Sequence, residues 1–218
     1  EIIQLGDMTL APADYAYDAT FPKSSGDPNP HLWMAPPYAK RWSEIIRDVM
    51  ARRDPANAAY YTTNQARFAG VVDQLDGAVA AAINSVPADR RKLLTYHDSF
   101  AYFARRYGLE VIGAVQPSDF SEPSPKEVRD LIAQVQATHV PAIFGSEVFP
   151  SRVLEQVARS SGARYVDKLR DDELPGKPSD PQHTYVGLIV DDVRTIVSAL
   201  GGDPSALDSV PTTKTWQA

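Results

Sequence analysis

The sequence holds four histidines and no cysteine among 218 residues, so any metal or acid–base chemistry rests on imidazoles and carboxylates. His97 is the first candidate. It stands in Leu93–Phe103, Leu-Leu-Thr-Tyr-His-Asp-Ser-Phe-Ala-Tyr-Phe, where an apolar strand ends and an aromatic helix begins. In an open α/β sheet ligands bind outside the carboxyl ends of the strands, which points a histidine at that turn into a crevice. The competing role is an ordinary hydrogen-bond partner at the strand end. His31 is the second candidate, in Asn29-Pro30-His31-Leu32-Trp33 just before a helix opened by Pro36-Pro37. Prolines restrict the chain on both sides of it, and a water-exposed turn histidine is the alternative. The third group is acidic. The proline-rich loop from Arg170 to Gln182 also leaves the carboxyl end of a strand, so Asp171, Asp172 and Glu173 are expected to face the same crevice.

The remaining candidates are weaker. His139 ends a helix before Val140-Pro141, where an imidazole complements the helix dipole. His183 lies in a polar loop beside Thr184. Glu147 follows a strand and either steadies an imidazole or caps the next helix. Arg90-Arg91-Lys92 and Arg105-Arg106 read as solvated faces. Ser99 and Ser146 lack a nucleophile elbow, and no glycine-rich phosphate fingerprint or internal repeat is found.

The elements that must position these residues follow from periodicity. Residues 2–5 read as one short strand, and Asp7 to Asn29 as a long loop rich in Pro, Asp, Gly and Ser. Tyr38, Trp42, Ile45, Ile46 and Val49 recur at helical spacing. Asp54-Pro55 reads as an N-cap with proline at the first helical position, opening one helix that runs to Val86. Its later half carries Phe68, Val71, Val72, Leu75, Ala78, Val79, Ala82, Ile83 and Val86 on one face, while the first half is polar or small. A rod of roughly 45 Å at ~1.5 Å rise per residue suits a bridge between two lobes. Beyond Arg91 strands and helices alternate: strands at 93–96, 110–115, 142–145 and 164–168, and helices at 99–107, from the capping box Ser124-Pro125-Lys126-Glu127, at 151–161 and at 184–200. That alternation predicts an α/β parallel-sheet lobe wound on both faces, joined by the long helix to a partial N-terminal α/β lobe. The tail from Gly201 to Ala218 is expected to pack loosely.

Composition narrows the partners. With 22 basic and 28 acidic residues the formal charge is −6, which disfavours nucleic acid and suits a cation. No apolar run approaches the ~18 residues of a membrane span. Lack of cysteine removes disulfides and thiolate metal sites. The chain opens at Glu1, not at methionine, and reads as the later part of a longer or processed protein.

Four motifs in this order, Asn29-Pro30-His31-Leu32-Trp33, Tyr96-His97-Asp98-Ser99-Phe100, Glu122-Pro123-Ser124-Pro125 and Leu169-Arg170-Asp171-Asp172-Glu173-Leu174, resemble one family. It is the cluster of ABC-transporter solute-binding proteins that capture zinc or manganese, some of them lipoproteins first described as adhesins. The resemblance extends over roughly residues 1 to 200 and includes the Thr184-Tyr185-Val186-Gly187 helix start. It implies two α/β lobes joined by one rigid helix with the metal between them on four side chains. Carried onto this chain, the ligands are His31, His97 and Asp172, with Asp171 as the alternative acidic ligand. A further histidine normally comes from early in the first lobe, and no histidine precedes His31, so that ligand is expected upstream of Glu1. The expected organisation is a remnant of the N-terminal lobe over 1–53, the linker helix over 54–86, the C-terminal α/β lobe over 87–201 and a tail over 202–218.

Two neutral imidazoles and a carboxylate are borderline donors that suit Zn2+, with Mn2+ as the alternative. The function so implied is extracytoplasmic capture of a divalent metal ion, periplasmic or membrane-anchored, and delivery to a membrane ABC permease. The protein is then a monomer and not an enzyme. One competing reading is a zinc-dependent hydrolase using His31, His97 and Asp172, against which stands the lack of a compact motif such as H-E-x-x-H. An adhesion or interaction protein is the other, and it needs no metal ligands.

Overall fold

The computed structural model describes residues 2–17, 21, 23–115, 124–146, 151–170 and 172–214. The expected strand at residues 2–5 does not form. The chain there enters a turn in which the Met8 main-chain N–H donates to the Gln4 carbonyl at 3.2 Å and Thr9 and Leu10 both donate to Gly6. A strand needs a neighbour for its main-chain groups, and among the described residues none lies beside it.

Helix α1, Pro36–Arg53, starts on its proline pair as expected. A 3-10 turn at Pro55–Asn57 then leads into α2, Ala58–Ser85. The predicted single helix from Asp54 is thus divided at its first turn. The Asp54 carboxylate accepts from Asn57 Nδ2 and the Tyr61 hydroxyl, each at 2.7 Å, and does not cap main-chain N–H groups. The two helices run antiparallel, because Lys40 pairs with Asp73 at 2.7 Å while Arg47 reaches Gln65 at 3.1 Å. At 28 residues α2 is about 42 Å long from its ~1.5 Å rise. Its polar first half lies along α1. The later half presents Leu75, Val79, Ala82 and Ile83, with Val86 just beyond its end, all essentially fully buried, to the core of the sheet-containing region. Each large aliphatic so buried contributes roughly 1.5–3 kcal/mol.

Four parallel strands follow: β1, Lys92–Thr95; β2, Glu110–Ala114; β3, Ala142–Ser146; and β4, Arg164–Leu169. Their order is β2-β1-β3-β4. The register pairs Lys92 with Glu110, Thr95 with Phe144, and Ile143 with Tyr165. Alternation along each strand divides the core. Leu93, Phe144 and Val166 face α2, α3 (Ala101–Tyr107) and α6 (Tyr185–Leu200), whereas Leu94 and Ile143 face α4 (Pro125–Thr138) and α5 (Arg152–Ser161). The expected doubly covered sheet is present, with element ends displaced by one or two residues. At α4 the capping box is complete: the Glu127 N–H donates to Ser124 Oγ at 3.3 Å and the Ser124 N–H donates to Glu127 Oε2 at 2.7 Å.

Two expectations need correction. The tail is ordered as far as it is described: a 3-10 turn at Pro204–Ser209 buries Leu207 and Val210 in the main core, and Gln74 Nε2 donates to the Ser209 carbonyl at 2.8 Å. Its two apolar side chains suffice to anchor a segment without helical period. The arginine runs are also more than solvated faces. Arg91 donates to the Val86 and Asn84 carbonyls at the end of α2, Arg105 to the Asp14 carbonyl, and Arg106 pairs with Asp76 on α2 at 2.5 Å. They tie separate elements together through helix-terminal carbonyls and one carboxylate.

Candidate functional site

Strand order reverses between β1 and β3, and in a doubly wound sheet the crevice for a ligand opens at such a switch point. His97 sits there. After Thr95 the chain turns sharply, held by Thr95 Oγ1 donating to the His97 carbonyl at 2.7 Å. Asp98 and Ser99 are buried behind the turn, and α3 leaves in the direction set by Phe100 and Phe103, which pack edge to face at 5.7 Å. The ring of His97 stays partly exposed at the mouth.

His31 reaches the same place from the other side. The preceding segment is tied to α3 by the Ala16 N–H donating to the Tyr102 hydroxyl at 3.1 Å, and by the Asn29 N–H donating to the Ala16 carbonyl at 2.9 Å. Leu32 and Ala35 join Ala16 and Tyr102 in a small apolar cluster. His31 itself is only 4% exposed, between the rings of Trp33 (centroids 5.0 Å apart), Phe21 (6.0 Å) and His97 (4.8 Å).

The two imidazoles meet through their Nε2 atoms at 3.0 Å, although 66 residues separate them in sequence. His31 Nδ1 faces Asn29 Oδ1 at 2.8 Å, and the same oxygen accepts the His31 main-chain N–H at 3.0 Å. The Asn29 amide donates to the Asp98 carbonyl at 2.8 Å. Asn29 is fully buried and escaped the sequence reading, which used it only as part of a motif. Its place two residues before a candidate ligand, across a proline, was the available signal.

The acidic candidates stand differently. Asp172 is exposed, and among the described residues no third His, Asp or Glu joins the imidazole pair within reach of one metal ion. Asp171 and Glu147 lie outside the described residues, as do Glu122 and Pro123. The base of the acidic loop is nevertheless fixed. Buried Asp192 on α6 accepts the Arg170 main-chain N–H at 2.9 Å, and the neighbouring Asp191 carboxylate takes the Arg170 guanidinium. The far end is held by Thr184, whose hydroxyl accepts the Gly187 N–H at 2.9 Å and donates to the Thr212 carbonyl at 2.6 Å. Gly187 permits this closure. A Cβ there would stand 2.1 Å from the Gln182 carbonyl oxygen, so the glycine of Thr184-Tyr185-Val186-Gly187 is required by backbone approach.

His139 and His183 lie apart from the pair. His139 is exposed and caps α4 in the left-handed conformation at φ 52°, its Nδ1 3.2 Å from the Ala137 carbonyl. His183 has Nδ1 3.2 Å from the Pro175 carbonyl, within the acidic loop. Beneath the site, Ser99 Oγ is fully buried and makes no hydrogen bond among the described residues.

The chain is similar to known periplasmic metal-binding proteins. Residues 3–199 match the family described as zinc-uptake complex component A, periplasmic (ZnuA). The chain is 31% identical over 177 residues to the iron-binding protein YfeA of Yersinia pestis, covering 81% of this chain and 57% of that one. It is 32% identical over 180 residues to the zinc-binding protein TroA of Treponema pallidum, covering 79% and 57%. The solved structure of that periplasmic zinc-binding protein superimposes with a TM-score of 0.79 at 25% identity, covering 91% of this chain and 71% of the other. The Mn-bound periplasmic metal-binding protein from Candidatus Liberibacter asiaticus gives 0.75 at 25% identity, covering 92% and 71%. The chain therefore spans a little over half the length of these curated relatives.

Proposed function

The chain belongs to the family of periplasmic zinc-uptake complex component A proteins, and from that premise we propose that it captures a divalent transition metal outside the cytoplasmic membrane and hands it to a membrane ABC permease. The observation that carries this reading is the approach of His31 Nε2 to His97 Nε2 at 3.0 Å. Two imidazole nitrogens on one tetrahedral zinc at ~2.0–2.1 Å stand about 3.3 Å apart. The pair is within a few tenths of an ångström of that spacing, so admitting a cation requires a small displacement. Asp172 is proposed as an acidic ligand, brought in by the loop whose two ends are pinned at Arg170 and Gly187.

Zinc is proposed as the preferred cargo over manganese, because imidazole is a borderline nitrogen donor and manganese favours harder oxygen donors. The names of the relatives include iron, zinc and manganese, so the preference rests on the donor set alone. A hydrolase would need a metal triad with a base beside it. Among the described residues no such cluster is formed, and the hydrolase reading gains nothing from the site.

The test is calorimetric titration of the protein with Zn2+ and with Mn2+, alongside His31→Ala, His97→Ala and Asp172→Asn. Each histidine variant is expected to lose at least tenfold in zinc affinity. Unchanged affinity in both would show that the pair is not the cation site.

A further inference from the structure

One residue beside the histidine pair has a geometry that decides which of its nitrogens can act. Asn29 is fully buried, and its amide orientation is fixed by its neighbours. Its Nδ2 faces the Asp98 carbonyl at 2.8 Å, which only accepts, and its Oδ1 faces the His31 main-chain N–H at 3.0 Å, which only donates. The atom 2.8 Å from His31 Nδ1 is therefore an acceptor oxygen. A neutral imidazole carries one N–H, and at His31 this arrangement places it on Nδ1. The lone pair is then on Nε2, the atom that meets His97.

We infer that Asn29 is a positioning residue for cation capture: it fixes His31 in the Nδ1–H form with its Nε2 lone pair presented, and it sets the distance between the two histidine loops. This rests on the metal-binding reading above. The second task follows from the Asp98 contact. The carbonyl that Asn29 grips is one residue beyond His97, so a single side chain holds one imidazole directly and fixes the main chain of the other. The protonation of the pair follows as well. With a bare Nε2 on His31, the contact at 3.0 Å is a hydrogen bond donated by His97 Nε2–H. His97 must move that proton to its other nitrogen before its own Nε2 can bind metal, whereas His31 is ready beforehand. The general rule that a metal-ligating histidine donates its second N–H to a fixed acceptor, whose removal costs 10–100-fold in affinity, sets the expected magnitude.

The experiment uses nitrogen-15 NMR of the imidazoles in the metal-free protein at a pH where both rings are neutral, followed by zinc titration. The expected result is protonated Nδ1 and bare Nε2 on His31, with the reverse on His97. Asn29→Leu should lose the single His31 tautomer and bind zinc at least tenfold more weakly. Asn29→Asp, which keeps an acceptor toward Nδ1–H, should retain the tautomer even though it loses the Asp98 contact. Thermal melts establish that each variant is folded, and should Asn29→Leu not fold, the wild-type tautomers and Asn29→Asp decide the matter. A bare Nδ1 on His31 in the wild type overturns the inference, as does a folded Asn29→Leu with unchanged tautomer and zinc affinity. Those failures are distinct from that of the metal site itself, which would appear as zinc binding undiminished in His31→Ala.

Discussion

Tyr185 and Trp33 lie 152 residues apart, yet the Tyr185 hydroxyl donates to the Trp33 main-chain carbonyl at 2.7 Å. The bond joins the start of α6 to the segment that carries His31. Burial, with a smaller contribution from the Asp76 charge, pushes the phenol far above its ordinary range, so it remains a donor at any working pH.

Tyr185→Phe removes that donor and leaves the Trp33 carbonyl without it. The expected loss is about 1–2 kcal/mol in urea unfolding, the usual cost of a lost buried hydrogen bond. Zinc affinity should fall with it, because the His31 segment loses its tether to α6. A variant as stable and as tight-binding as the wild type would show that the other contacts of Trp33 suffice.

Selectivity should respond to the donor atom at position 97. His97→Glu replaces a nitrogen donor by a carboxylate, which favours manganese relative to zinc. In competition titrations the zinc-to-manganese preference should shrink by an order of magnitude or more. A preference that widens instead would remove His97 from the coordination sphere.

Gly187→Ala tests how tightly the acidic loop is closed. The added methyl would meet the Gln182 carbonyl oxygen at 2.1 Å, and backbone, unlike a flexible side chain, cannot step aside cheaply. A destabilisation of roughly 1–3 kcal/mol is expected from such overpacking. Thermal unfolding measures it, and hydrogen exchange should localise the change to residues 175–187.

Asp76 gives a pH dependence whose sign can be worked out. Burial would raise its carboxyl, but hydrogen bonds from Arg106 and from Tyr107, whose hydroxyl lies 2.7 Å away, outweigh burial and hold it below 3.8. Because the folded value is depressed, the contribution is present above the unfolded pKa and fades as pH falls through the folded one. Stability of the wild type should decline on acidification below about pH 4, and Asp76→Asn should be less stable at neutral pH with a shallower acid decline. Parallel urea titrations at pH 3 and pH 7 compare the two slopes.

Much of the architecture was set by local chemistry that a sequence displays. Short apolar runs alternating with helical segments mark β1 to β4, apolar residues at helical spacing mark α1, α2, α4 and α6, and Ser124-Pro125-Lys126-Glu127 caps α4 through contacts spanning only three residues. The position of His97 was legible because it depends on one strand end and one helix start next to each other in sequence. The apparent strand at residues 2–5 misled because a short β-branched, apolar run can look like a strand without supplying a partner strand. The tail was misread because Leu207 and Val210 are buried in a core to which α2, far away in sequence, contributes Leu75, Val79, Ala82 and Ile83.

What only the tertiary structure decided is how the candidate ligands stand to one another. Nothing local in Asn29-Pro30-His31 specifies a ring 66 residues away, nor that Asn29 would grip the Asp98 carbonyl. Those relations depend on α3 holding both the Ala16 segment and the turn after β1, through Tyr102 and the packing around it. Imidazole and amide chemistry is written in residue types, but tautomer and spacing are set by which atoms face each other. That is settled when separate elements pack, since hydrogen bonds between loops distant in sequence exist only in the folded chain.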